Sequence, residues 1–101
     1  MKEQCLLNIV VSPAIQDSMT DWLLTRSKLP GFTSMRAYGH GSSSRGMTLA
    51  EQVAGNRDQV LFMAHLSIEE AKELIKELGD EFAGSGLHYW LSPVSDAGRI
   101  A

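Results

Sequence analysis

Cysteine is nearly missing from this chain: Cys5 is the single one in 101 residues. That excludes a disulfide framework and a multi-cysteine zinc site, and it fits a reducing compartment. Long hydrophobic runs are missing too. The longest are on the scale of residues 9–11 and 60–64, whereas a bilayer span needs roughly 20 apolar residues. Direct membrane insertion is therefore not expected. The opening MKEQCLLNIVV turns apolar after a charged start, but Asn8 interrupts it and no small-residue cleavage site follows. It reads as a first strand, and the protein as cytoplasmic. Excess positive charge is also lacking. The net charge is −3 and the pI about 5.5, which argues against general nucleic-acid binding.

What is present is an ordinary globular composition, 44% hydrophobic and 21% charged. A disordered chain would hold far fewer apolar residues. The length suits one domain, residues 1–101. Charge is unevenly spread. Between residues 36 and 57, Arg36, Arg45 and Arg57 face one acid, Glu51, for a local +2; the remainder carries −5.

Residues 4–11 are apolar and β-branched and predict a strand. Ser12-Pro13 opens a helix, with Ile15, Met19, Trp22 and Leu23 at helical spacing to about Arg26. Pro30-Gly31 turns the chain into a second strand over 32–38. GHGSSSRG, residues 39–46, predicts a loop. Residues 47–56 predict a short helical turn closed by Gly55 and Asn56. A third strand spans 59–66. Ser67 and Glu70 then form a capping box for a second long helix, apolar at Ile68, Ala71, Leu74, Ile75, Leu78 and Phe82. The fourth strand covers 87–91 and is closed by Ser92-Pro93. Two βαβ halves joined by a long loop predict an α+β, ferredoxin-like βαββαβ sandwich with both helices on one face. Strands one and three are apolar on both faces, so a second copy of the chain is expected to cover the open face.

The loop offers consecutive backbone N–H groups at Gly39, His40 and Gly41, and hydroxyls at Ser42, Ser43 and Ser44. Such a nest suits an anion, with Arg36 and Arg45 close in sequence. No Gly-Lys-Ser/Thr follows, so it is not a Walker loop. His40, His65 and His88 lack metal-ligand spacing relative to one another. No Ser/His/Asp set and no glycine elbow occurs, so an enzyme is not expected. Acids gather on the outer face of the second long helix, a solvated surface. Trp22, Tyr89 and Trp90 read as core or interface aromatics.

The stretch Pro30-Gly31-Phe32-Thr33 through Tyr38-Gly39-His40-Gly41 resembles the second strand of the PII signalling proteins. There, a Gly-x-Thr start runs into a glycine turn that opens a long loop. The ending, Gly84-Ser85-Gly86-Leu87-His88 through Pro93-Val94 and Arg99-Ile100, is similar to the PII ending. Within that superfamily the chain is most similar to the DUF3240 group of proteobacterial PII-like proteins, often encoded beside heavy-metal efflux pumps. The resemblance implies a homotrimer with adenine-nucleotide clefts between subunits. Carried onto this chain, it implies nucleotide contacts at Thr33, Gly39, Gly41, Gly86, His88 and Arg99, with His40, Ser42 and Ser43 completing the ligand site. It also implies a signalling loop and a partner such as a membrane metal-efflux transporter. The chain departs from the pattern at four places. His88 replaces a phosphate-binding lysine, Ala101 replaces a second arginine, and Ser42-Ser43 replace an Arg-Gln pair. The loop is also shorter and lacks the modified tyrosine. These departures argue against ATP binding of ordinary strength. The alternative is a divalent-metal-binding module resembling the CutA proteins, which share the architecture. Residues 39–57 are expected to be mobile and to order on ligand or partner binding.

Overall fold

The computed structural model describes residues 3–41 and 47–101. Strand β1 runs Gln4–Val11. A 3₁₀ turn at Pro13–Ile15 leads into helix α1, Gln16–Leu24. Strand β2 is Thr33–Gly39, helix α2 Leu49–Ala54, strand β3 Arg57–Ser67, helix α3 Ile68–Glu81 and strand β4 His88–Val94. The sheet order is β2-β3-β1-β4 and every pairing is antiparallel. This is the ferredoxin-like, PII-like α+β sandwich, with the short helix α2 in the connection between β2 and β3.

Alternation in the strands decides the two faces. Leu7 and Ile9 of β1 lie opposite Ala64 and Phe62 of β3. All four are buried, together with Met19 and Leu23 of α1 and Ala71, Leu74 and Leu78 of α3. The alternate residues, Leu6 and Val10 of β1 and Leu61 and Met63 of β3, line the other face. Among the described residues no helix covers them, and they are half-buried. Both helices therefore pack on one side of the sheet.

Helix α3 forms where its start signal is strong. The Ser67 hydroxyl accepts from the Glu70 N–H at 3.2 Å, and the Glu70 carboxylate accepts from the Ser67 N–H at 3.3 Å. Ser12 is different: its side chain makes no capping bond, and the first turn is 3₁₀ rather than α. Helix α1 also stops at Leu24, short of Arg26. Strand β4 outruns its expected end. It passes through Ser92 and Pro93 and pairs Val94 with Gln4. A proline is tolerated there because β4 is an edge strand, whose outer side needs no N–H. Trp22 meets Phe82 edge-on at 5.5 Å, with the Arg26 guanidinium 4.6 Å above its ring. Tyr89 and Trp90 stay about half exposed and are not core residues.

Candidate functional site at the base of the loop

Strands β2 and β3 separate at the pair Gly39–Arg57. There Gly39, His40, Gly41, Met47, Gly55, Arg57 and Gln59 line a cleft of about 320 Å³. Local chemistry builds it. Gly55 ends α2 in the left-handed region, at φ 76°, a conformation that costs a residue with a Cβ. Gly39 is favoured by close contact instead: a Cβ there would lie 2.5 Å from the Gln59 Oε1, so the Gln59 side chain would have to shift. The Gln59 amide thus rests over the glycine at the cleft wall.

Helix α2 is held beside this cleft by Glu51. Its carboxylate accepts from the Thr48 N–H at 2.9 Å, while the Thr48 hydroxyl accepts from the Glu51 N–H at 3.1 Å. The other carboxylate oxygen accepts from the Asp58 N–H of β3. The backbone N–H groups of Thr48 and Asp58 hold the Glu51 pKa below its ordinary value, and the positive charge of Arg57 adds to this. One carboxylate therefore caps α2 and ties it to β3. Residues 47–56, expected as a short helical turn, hold the capped helix Leu49–Ala54.

The sequence-predicted site residues occupy several places. Gly39, His40 and Gly41 sit together at the cleft. Ser42 and Ser43, with Ser44 and Arg45, lie outside the described residues. Thr33 is at the far end of β2, opposite Met63, about 20 Å along the strand from Gly39. Gly86, at φ 76°, turns the chain into β4, and His88 opens that strand opposite Val10. β4 is the sheet edge opposite β2, about 14 Å away across three strand spacings. Arg99 lies in the exposed segment after β4, which leaves from the sheet end where β1 begins. Gly39 is at the other end, beyond Val11. A site using all these residues therefore needs more than one copy of the chain. Gln59, Met47 and the Glu51 tie were missed in the sequence. Nothing in a single sequence marks them, because strand pairing brings them to the glycines.

Among the described residues, no group of three or more His, Cys, Asp or Glu side chains is placed to hold a metal ion. His65 and His88 stand opposite different positions of β1, Leu6 and Val10, on its two flanking strands. Cys5 is buried, and burial pushes its thiol pKa up, which makes it a poor thiolate. A second groove, about 250 Å³, lies between the end of α1 and α3. Ion pairs Arg26–Glu77 at 2.9 Å and Lys28–Glu73 at 3.2 Å cross it. No helix among the described residues is long and apolar enough to cross a membrane.

The fold recurs in solved structures. A DUF3240 family protein from Shewanella baltica OS155 superposes with a TM-score of 0.80 at 20% identity, over 100% of both chains. CPII from Thiomonas intermedia K12, a nitrogen regulatory PII-like protein bound to ADP, AMP and bicarbonate, gives 0.69 at 19% identity over 97% of each chain. Its apo form gives 0.61 at 18% identity, over 91% of this chain and 89% of that one. At such identities the likeness establishes the fold. No curated protein matches the chain. The family model for DUF3240, described as a protein of unknown function, matches residues 1–101 from end to end, and the chain belongs to that family.

Proposed function

We propose that this protein is a non-catalytic, PII-like regulator that binds a small anionic ligand in clefts between the subunits of a homotrimer. Adenine nucleotide is the ligand class. The observation that carries the reading is the loop-base cleft, where three glycines, His40, Arg57 and Gln59 meet beside a capped helix. A guanidinium beside close-approach glycines suits phosphate or carboxylate oxygens. Support comes from the Thiomonas PII-like protein, which shares the fold and was solved with ADP, AMP and bicarbonate. A neighbouring subunit would bring Gly86, His88 and Arg99 to the cleft, with Ser42 and Ser43 from the loop, while Thr33, about 20 Å along β2 from Gly39, would face a neighbouring subunit's cleft. Ligand occupancy would bias the loop of residues 39–57, whose docking to a partner carries the signal. A membrane metal-efflux transporter is the partner to test, on the strength of the family resemblance.

Titration calorimetry with ADP, AMP, ATP, bicarbonate and divalent metals tests the reading. Heat is expected with a nucleotide or bicarbonate. Its affinity should fall about tenfold in Arg57→Ala and in Arg99→Ala, the worth of one charge-assisted hydrogen bond. Silence with every anion would end the proposal. Metal heat lost in His40→Ala or His88→Ala would favour a CutA-like metal-binding module instead.

A further inference from the structure

Asn8 is the odd residue on the uncovered face of the sheet. It sits in the central strand β1, opposite Met63 of β3 and Trp90 of β4. Its strand neighbours on that face, Leu6 and Val10, are apolar. These large side chains leave Asn8 only 5% exposed. Its Nδ2 donates one hydrogen bond, to the Leu6 carbonyl of its own strand at 3.3 Å. A carboxamide has two N–H donors and an oxygen with two lone pairs. One donor and the oxygen therefore bond to no group among the described residues, and the oxygen keeps contact with solvent at the surface of the uncovered face.

The surrounding face is also unusual in charge. Between the Ala37–Gln59 pair and the Gln4–Val94 pair, its positions hold no Asp, Glu, Lys or Arg. Charged residues make up 21% of the whole chain. Its titratable groups are His65 and His88, opposite Leu6 and Val10; a charged partner would find no permanent counter-charge there, and a purely apolar one would seal the Asn8 oxygen without a donor. A second copy of the same face satisfies both conditions. It brings apolar area without repulsion, and a carboxamide with one spare donor and one spare acceptor is complementary to itself.

We infer that Asn8 selects how many copies of this chain assemble and in what register, each carboxamide donating across the interface to the Oδ1 of the next copy. This rests on the assembly reading under Proposed function. A single polar group inside an apolar interface favours the one arrangement that pairs it, and loses stability relative to an all-apolar surface. Asn8 is a positioning residue in this scheme, and it touches no ligand.

Native mass spectrometry and light scattering on dilution test the inference in wild type, Asn8→Leu and Asn8→Asp. Wild type is expected to give one homogeneous oligomer. Asn8→Leu should dissociate at about tenfold lower protein concentration and populate more than one stoichiometry. Asn8→Asp, nearly isosteric and so able to fold, should dissociate at about tenfold higher concentration near neutral pH, where the gathered carboxylates repel. The wild-type Asn8 side-chain N–H protons should exchange at least tenfold more slowly in the oligomer than in an exposed carboxamide. A monomeric wild type overturns the assembly reading and this inference with it. A wild-type oligomer whose two variants keep its stoichiometry and dissociation concentration overturns the inference alone. So does fast exchange of the Asn8 amide within the oligomer.

Discussion

Glu51 does more work than its place in a loop suggests. It serves Thr48, its own helix and Asp58 of β3, so removing its carboxylate frees two backbone donors at once. In Glu51→Ala, amide exchange at Asp58 and through α2 is expected to quicken several-fold, while the β1–β3 core amides keep their protection. The charge is tunable by pH. Backbone N–H groups and Arg57 depress the Glu51 pKa in the folded state. The unfolded state therefore binds the proton more readily, and the stabilisation is full above the ordinary carboxylate value. It is lost as pH falls below that value and through the depressed one. An NMR titration of the Asp58 amide should report this transition below pH ~4.3. A midpoint above the ordinary value would refute the assignment. Gly39 is a second residue-scale test. Its clash partner is the mobile end of Gln59, so Gly39→Ala should move stability by less than about 0.5 kcal/mol. Its effect should appear instead as weakened ligand heat, because the displaced amide must turn into the cleft.

Among the elements, the two capped helices differ in how much rests on their caps. Ser67 is only 2% exposed and joins the end of β3 to α3. Its hydroxyl also donates to the Glu70 carboxylate at 2.7 Å. Ser67→Ala should cost about 1–2 kcal/mol in chemical denaturation. Helix α3 itself was legible because its apolar positions recur at helical spacing and its capping box lies within four residues. Helix α2 was legible in outline from Gly55 and Asn56 at its end, while its Thr48–Glu51 capping box came to light only in the structure. Its attachment to β3 was not legible either. That bond joins residues 51 and 58 across a turn, and it forms only because β3 begins two residues earlier than its apolar pattern suggests. Arg57 and Asp58 join the strand by pairing with β2, which no side-chain alternation announces. The end of β4 was misread for a related reason. Proline is a strong stop in a central strand, and only sheet order reveals that β4 lies at an edge.

For the whole molecule, the uncovered sheet face is the feature that decides behaviour. Met35 and Trp90 remain nearly half exposed on it, and they flank the half-buried Leu61, Met63 and Val10. A radius of gyration of 15.0 Å exceeds the roughly 13 Å expected of a compact chain this long. Residues 95–101 are all exposed. Both features suit a subunit better than a finished particle. Met63→Glu places a charge at the centre of the face and costs the single chain little, since that side chain is only partly covered. Light scattering should then show the mass of the proposed trimer falling to that of a monomer, with unchanged far-UV circular dichroism. A Met63→Glu protein that still sediments as a trimer would place the interface elsewhere.

Residue order alone determined the two βαβ halves, the helical face of α3, the Ser67 capping box and the ferredoxin-like class. All of these follow from spacing within a few residues, where backbone geometry makes periodicity readable. The glycine pair at 39 and 41 was legible as the base of an anion-binding loop. What meets Gly39 there was decided only in three dimensions. Gln59 and Arg57 arrive by strand pairing, and α2 is fastened by a carboxylate that accepts from the N–H of Asp58 in β3, seven residues on. The separation of Gly39, His88 and Arg99 was also a tertiary outcome. Sheet order sets β2 and β4 at opposite edges, and strand direction sends the last segment away from the cleft. Long-range pairing has no periodic trace in a single sequence, so the contents of the cleft and the loneliness of Asn8 emerge only once the sheet is assembled.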